Sequence, residues 1–177
     1  MPHIQLDESL PGMQSLLKFR PEIAEPLLTL MTILMRGDEG LSKGERELIA
    51  AFVSDLNKCN ACANIHGAIS QCLISENPQM VDNVMDNYKN APISEKLKAL
   101  LSIAESVQKG GKNVKKEQIE GAKNYGSTDQ EIHDTVLISS LFCLFNKYID
   151  GLGLVSNDTN DSLNLRAKMI AEFGYSK

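Results

Sequence analysis

The sequence predicts an all-α domain, and three observations carry that expectation. Apolar residues recur at helical spacing along nearly the whole chain. Segment after segment opens on Ser, Thr or Pro and stops at glycine. Aromatic residues make up only 5% of the chain, and no alternating β-branched run lies between hairpin turns, so a sheet is not expected.

Taken in order, Pro21 suits a first helical turn, and Ile23, Leu27, Leu30 and Leu34 follow at helical spacing as far as Gly37. Ser42-Lys43-Gly44-Glu45 reads as a capping box, the serine capping and the glutamate reaching back. The helix it opens carries Leu48, Ile49, Phe52, Val53 and Leu56. Asn57 interrupts it and is a plausible cap for a further helix through Cys59, Cys62, Ile65, His66, Ile69 and Leu73. Pro78 fits the start of the next, with Val81, Val84, Met85 and Tyr88 on its apolar side. Ser94 caps a segment bearing Leu97, Leu100, Leu101, Ala104 and Val107, which stops at Gly110-Gly111. A shorter helix covers about Lys115 to Tyr125 and closes at Gly126. Ser127-Thr128-Asp129-Gln130 opens the longest one, which ends near Gly151, and the tail after Ser156 forms a last helix from Leu163 to Phe173.

A chain of 177 residues suits one domain with a sizeable core, so 1–177 is read as a single domain with 1–10 and 157–177 at its periphery. Its 18 basic and 23 acidic side chains leave a net charge of -5, which argues against nucleic acid or an anionic membrane as the main partner. No apolar run is long enough to span a bilayer. Met1 to Leu10 carries Asp7 and Glu8 and lacks the basic-then-apolar order of a signal peptide, so a cytoplasmic protein is expected.

The cysteines stand at 59, 62, 72 and 143, spaced too irregularly for a disulfide scaffold. Cys72 and Cys143 have apolar neighbours and are expected to be buried small hydrophobes. Cys59, Cys62 and His66 differ: at spacings of three and four they share one helical face. The pair also falls at a helix start, where unsatisfied amides and the dipole favour a thiolate. Three readings are open for this face. It is a redox dithiol, or a zinc site with Glu47 as a fourth ligand, or two core cysteines beside a satisfied histidine. Thioredoxin-like chemistry fails on context, because no strand precedes the motif.

The run Glu47-Leu48-Ile49-Ala50, Val53-Ser54, Asn57, Cys59-x-x-Cys62-x-x-x-His66 resembles the alkylhydroperoxidase D-like, carboxymuconolactone decarboxylase superfamily. Glu47, Cys59, Cys62 and His66 fill the family pattern without an insertion. Gly126 to Ile132 and Phe145 to Gly153 look like segments of its peroxidase-related branch, so the resemblance covers roughly Pro11 to Gly153. It implies an alkylhydroperoxidase D-like helical bundle and a thiol-dependent hydroperoxide reductase of peroxiredoxin type, serving antioxidant defence. In that scheme Cys62 attacks the peroxide, Cys59 resolves the sulfenic acid, and Glu47 draws the Cys62 proton through water or His66.

The resemblance further implies a homo-oligomer, trimer or hexamer, with Leu27 to Met35 as candidate interface. It requires no metal or organic cofactor, and the electrons come from a lipoyl-bearing or thioredoxin-like dithiol. Ala61 is a departure: the best-known members carry a second histidine directly before the second cysteine. Many peroxidase-related members also lack it, whereas the decarboxylase branch typically lacks the cysteine pair. The competing functions are a non-catalytic redox sensor or disulfide-exchange protein and a zinc-stabilised interaction module. His133 is expected on a polar face or interface, and His3 in a frayed terminus. Asn146 and Asp150, four apart on one face, are expected to cap or pair locally. Lys115-Lys116 reads as a solvated helix start.

Overall fold

The computed structural model describes residues 2–175 apart from Glu8, Pro11, Ser75, Glu76, Pro78 and 155–158. The expected helix start at Pro78, the start of the tail at Ser156 and the Pro11 end of the resemblance lie outside the described residues, as do Met1 and Glu8. Among the described residues the chain forms α1 (Met13–Phe19), α2 (Pro21–Arg36), α3 (Lys43–Leu56), α4 (Asn60–Leu73) and α5 (Met80–Asn87). There follow α6 (Glu95–Lys109), a single 3-10 turn (Gly111–Asn113), α7 (Lys116–Asn124), α8 (Asp129–Gly151) and α9 (Asn160–Phe173), with no strand. None of these helices is long and apolar enough to cross a membrane.

The capping signals act where the sequence places them. Ser42 and Glu45 form a reciprocal capping box on α3, Thr128 and Glu131 form another on α8, and the Ser94 hydroxyl accepts the Leu97 N–H on α6. Three boundaries differ from expectation. Seven-residue α1 buries only Ser15 and Leu16, too little to leave a periodic signal. Helix α9 begins at Asn160, where Thr159 caps it. Asn57 closes α3 instead of opening α4: Lys58 turns left-handed at φ 64°, the Cys59 N–H returns to Ser54 O at 2.9 Å, and Cys59 becomes the N-cap of α4.

Helix α3 is the axis of the bundle, buried from Arg46 through Ser54 and flanked by α4, α6 and α8, while α9 packs on α4. Close approach needs glycine: a Cβ on Gly44 would stand 2.2 Å from Ile74 Cγ1, and one on Gly67 3.2 Å from Val81 Cγ1. The stripe from Leu27 to Met35 divides, with Leu34 and Met35 in the core while Leu30 and Ile33 face outward. The residues read as a periphery thus include a helix laid against the cysteine helix.

Cys72 is a correction, because it is exposed. The buried face of α4 runs through Cys62, His66, Gly67, Ile69 and Ser70, and position 72 falls outside that stripe. Cys143 is half-buried, with the Asn57 amide 3.5 Å from its sulfur. His133 is exposed and lies 3.1 Å from its neighbour Asp134.

One buried cation ties the frame together. Arg46, 2% exposed, donates to Leu34 O at 2.8 Å, Leu41 O at 3.0 Å, Glu39 O at 2.6 Å and Asp134 Oδ2 at 2.8 Å. It thereby joins the end of α2, the 37–42 turn and α8 to α3. Removing one partner of such a pair strands the other charge. Arg46→Ala is expected to lower the unfolding free energy by about 3–5 kcal/mol in urea titrations. A loss under about 1 kcal/mol would mean that the guanidinium is dispensable to the frame.

Candidate active site

Glu47 sits in mid-α3 with no exposed surface, on the side where α4 brings in His66. A carboxylate so buried needs donors, and it has three. His66 Nδ1 lies 2.6 Å from Oε2 and Arg36 Nη1 2.6 Å from Oε1, and the Tyr175 hydroxyl donates to Oε1. Burial works to raise the Glu47 carboxyl, but His66, Arg36 and Tyr175 outweigh it and hold it below the ordinary glutamate value. With Nδ1 turned to the carboxylate, Nε2 is the ring nitrogen that Glu47 leaves unengaged. The Phe142 ring meets the imidazole edge to face at 4.5 Å between centroids.

Cys62 lies one helical turn before His66 and Cys59 two, both free and both buried. Cys59, at the N-cap, packs among Leu16, Ile149 and Leu154. Cys62 instead lines a cavity of about 480 Å³, with His66 and Ala61 beside it. Leu28, Met31, Phe145, Met169, Ile170 and Phe173 make most of the remaining wall apolar. The sequence places the Cys-x-x-Cys pair at a helix start, and the fold turns its second cysteine toward open space.

The pair shares protons unequally. The Cys62 thiol donates toward the Cys59 sulfur, pulling Cys59 below the ordinary cysteine value despite burial and the Asp150 carboxylate. The same contact, burial and the charge forming on Cys59 push Cys62 well up, against the amide of Asn146. Access and acidity therefore separate: Cys62 has the open side, and Cys59 is the readier thiolate. For Cys62 to react as a thiolate its proton must go elsewhere, and His66, 2.6 Å from Glu47 Oε2, lines the same cavity.

All four residues singled out from the sequence thus come together, and the fold adds others. Asn146 and Asp150 of α8 both reach the cysteines. Asn146, 1% exposed, donates to Ser54 Oγ at 3.1 Å and accepts from Asn57 Nδ2 at 2.8 Å, while Gln108 Nε2 donates to Asn57 Oδ1 at 2.9 Å. Their four-residue spacing was the available signal, and it does not say which helix they face. Arg36 and Tyr175 left no motif. Among the described residues no three His, Cys, Asp or Glu side chains stand where they could share a metal ion.

Several solved structures resemble the chain, among them two peroxidase-related proteins. One is an uncharacterized peroxidase-related protein of Ralstonia eutropha JMP134 with an alkylhydroperoxidase AhpD core. It is 31% identical over 90% of this chain and 82% of its own, with a TM-score of 0.79. The other, an uncharacterized peroxidase-related protein of Silicibacter sp. TM1040, is 27% identical over 83% of this chain and 76% of its own, with a TM-score of 0.75. No family model and no curated protein matches the chain.

The depressed Glu47 carboxyl links the site to stability. A group whose folded value lies below its unfolded one contributes stability above the ordinary value of 4.5, lost as pH falls through the folded value. Glu47→Gln is therefore expected to cost about 3–5 kcal/mol at neutral pH, because it leaves the buried Arg36 guanidinium without a counter-charge. The gap between variant and parent should narrow in acid, which denaturant titrations at a series of pH values would check. A gap constant into acid would contradict the assignment.

Proposed function

The chain belongs to the peroxidase-related family built on the alkylhydroperoxidase AhpD core, and from that premise we propose that it reduces organic hydroperoxides with the Cys59–Cys62 dithiol. The observation that carries this reading is the placement of Cys62 on the wall of an apolar cavity, one turn from the buried Glu47–His66 pair.

In this mechanism Cys62 passes its proton to His66, whose imidazolium Glu47 stabilises. The Cys62 thiolate attacks the terminal peroxide oxygen. An S–O bond forms as the O–O bond breaks, and the departing alkoxide takes a proton to leave as the alcohol. The Cys59 thiolate then attacks the Cys62 sulfenic sulfur, an S–S bond replaces the S–O bond, and water leaves. The contact between the two sulfurs suits this second step, because Cys59 already stands beside the sulfur it must attack. An external dithiol, on a lipoyl-bearing or thioredoxin-like partner, returns two electrons by exchange. The outcome is antioxidant defence in the cytoplasm, and the outward-facing Leu30 and Ile33 of α2 suit contact with further copies of the chain.

Cys62→Ser is expected to reduce turnover to background, while Cys59→Ser should permit one oxidation per chain and then stop. Equal residual activity of the two variants would overturn the division of roles.

The apolar wall gives a second expectation. Burying several methylenes at about 0.8 kcal/mol each should raise kcat/KM for a bulky organic hydroperoxide more than about tenfold over hydrogen peroxide. Equal values for the two substrates in a steady-state assay would remove the cavity from the account.

A further inference from the structure

Tyr175 stands two residues beyond α9 and, unlike Cys62 and His66, belongs to no helix. Gly174, at φ 80° in the left-handed region, turns the chain back so that the phenol points inward. The ring faces the Arg36 guanidinium 4.5 Å away, and the hydroxyl reaches Glu47 Oε1 and lies 3.4 Å from His66 Nδ1. Arg36 in turn donates to Ile170 O at 3.3 Å, so α9 and Tyr175 are held at the same point. Met169, Ile170 and Phe173 of this segment also wall the cavity beside Cys62.

We infer that Tyr175 is a positioning residue of the Glu47–His66 pair, its hydroxyl fixing the carboxylate that steadies the imidazole. The C-terminal segment is then part of the active site. This inference rests on the reading in which that pair takes the Cys62 proton. The geometry divides the work on the carboxylate. Arg36 from α2 and Tyr175 hold Oε1, which leaves Oε2 aimed at His66 from α4. Among the described residues these three are the charged or titratable side chains facing Glu47, while Cys59 at the start of α4 and Asp150 of α8 are those acting on Cys62.

A phenol suits this duty. Burial and the Glu47 charge push Tyr175 well above the ordinary tyrosine value, so it stays a donor throughout the working range. Without the hydroxyl, Oε1 would have Arg36 alone. The carboxylate would then hold a proton more strongly, and the pair would protonate at higher pH. Below that pH it can no longer accept the Cys62 proton, so the acid limb of Cys62 reactivity must move up.

Tyr175→Phe keeps the ring over Arg36 and removes only the hydroxyl. Two profiles read its effect: kcat/KM for an organic hydroperoxide against pH, and the rate of Cys62 alkylation by iodoacetamide against pH in a Cys59→Ser background. One hydrogen bond to a charged group corresponds to an upward shift of about one pH unit in the acid limb, or about tenfold in rate at a fixed pH on it. That shift in the alkylation profile supports the inference even if the protein turns over no peroxide, an outcome that would instead remove the peroxide reading. An unmoved limb overturns it, whether or not kcat falls, because a packing role alone would lower the rate uniformly. The parent protein offers a second check by NMR of isotope-labelled tyrosine. The Tyr175 phenol should remain protonated past 10.0, the ordinary tyrosine value, and ordinary titration there would equally overturn the inference.

Discussion

A carboxylate with no exposed surface must receive all its hydrogen bonds from the fold, and Glu47 collects them from three separate segments of the chain. Much of the architecture is arranged around that requirement. Helix α3 must be wrapped on every side to bury the group, α4 must pass close enough to bring in His66, α2 must end with Arg36 at hand, and the chain must return after α9 to supply Tyr175. The buried Arg46, bonded to three carbonyls and to Asp134, holds the α2–α3 corner that delivers Arg36. An uncompensated charge at either place would cost several kcal/mol, a large share of the stability of a domain this size.

The same wrapping gives the two cysteines unlike surroundings although they lie one helical turn apart. The left-handed turn at Lys58 starts α4 one residue after Cys59, so Cys59 stands at the N-cap position and its sulfur packs inward, while the second sulfur lies on the cavity wall. Proximity lets one sulfur donate to the other, which makes Cys59 the readier thiolate and leaves Cys62 dependent on an outside acceptor. Order within the motif therefore becomes a difference in chemistry through burial and hydrogen bonding, since both residues are the same thiol.

The sequence carried much of this, for identifiable reasons. Helix starts at Ser42, Ser94 and Thr128 are local chemistry, so they could be read directly. Glu47, Cys59, Cys62 and His66 lie within twenty residues at a family spacing, and the fold brings them together. Arg36 and Tyr175 could not be read that way. One is a cation at the end of an amphipathic helix, and the other lies 128 positions from the carboxylate it bonds, so only the packing of α9 relates them. Asn146 and Asp150 were visible as neighbours on one face without a sign of what that face meets. The expectation for Cys72 failed because apolar neighbours in sequence say little about a helix, where adjacent positions point about 100° apart.

The central claim is that Cys59 and Cys62 form one redox centre at the edge of an apolar cavity. It is tested most directly by counting free thiols and measuring intact mass before and after one equivalent of an organic hydroperoxide. The account predicts prompt loss of two thiols and a mass lower by two hydrogens. The bond should map to Cys59 and Cys62, leave Cys72 and Cys143 free, and be reversed by a dithiol. Folded protein in which Cys59 and Cys62 stay free, or in which oxidation is confined to exposed Cys72, would contradict it.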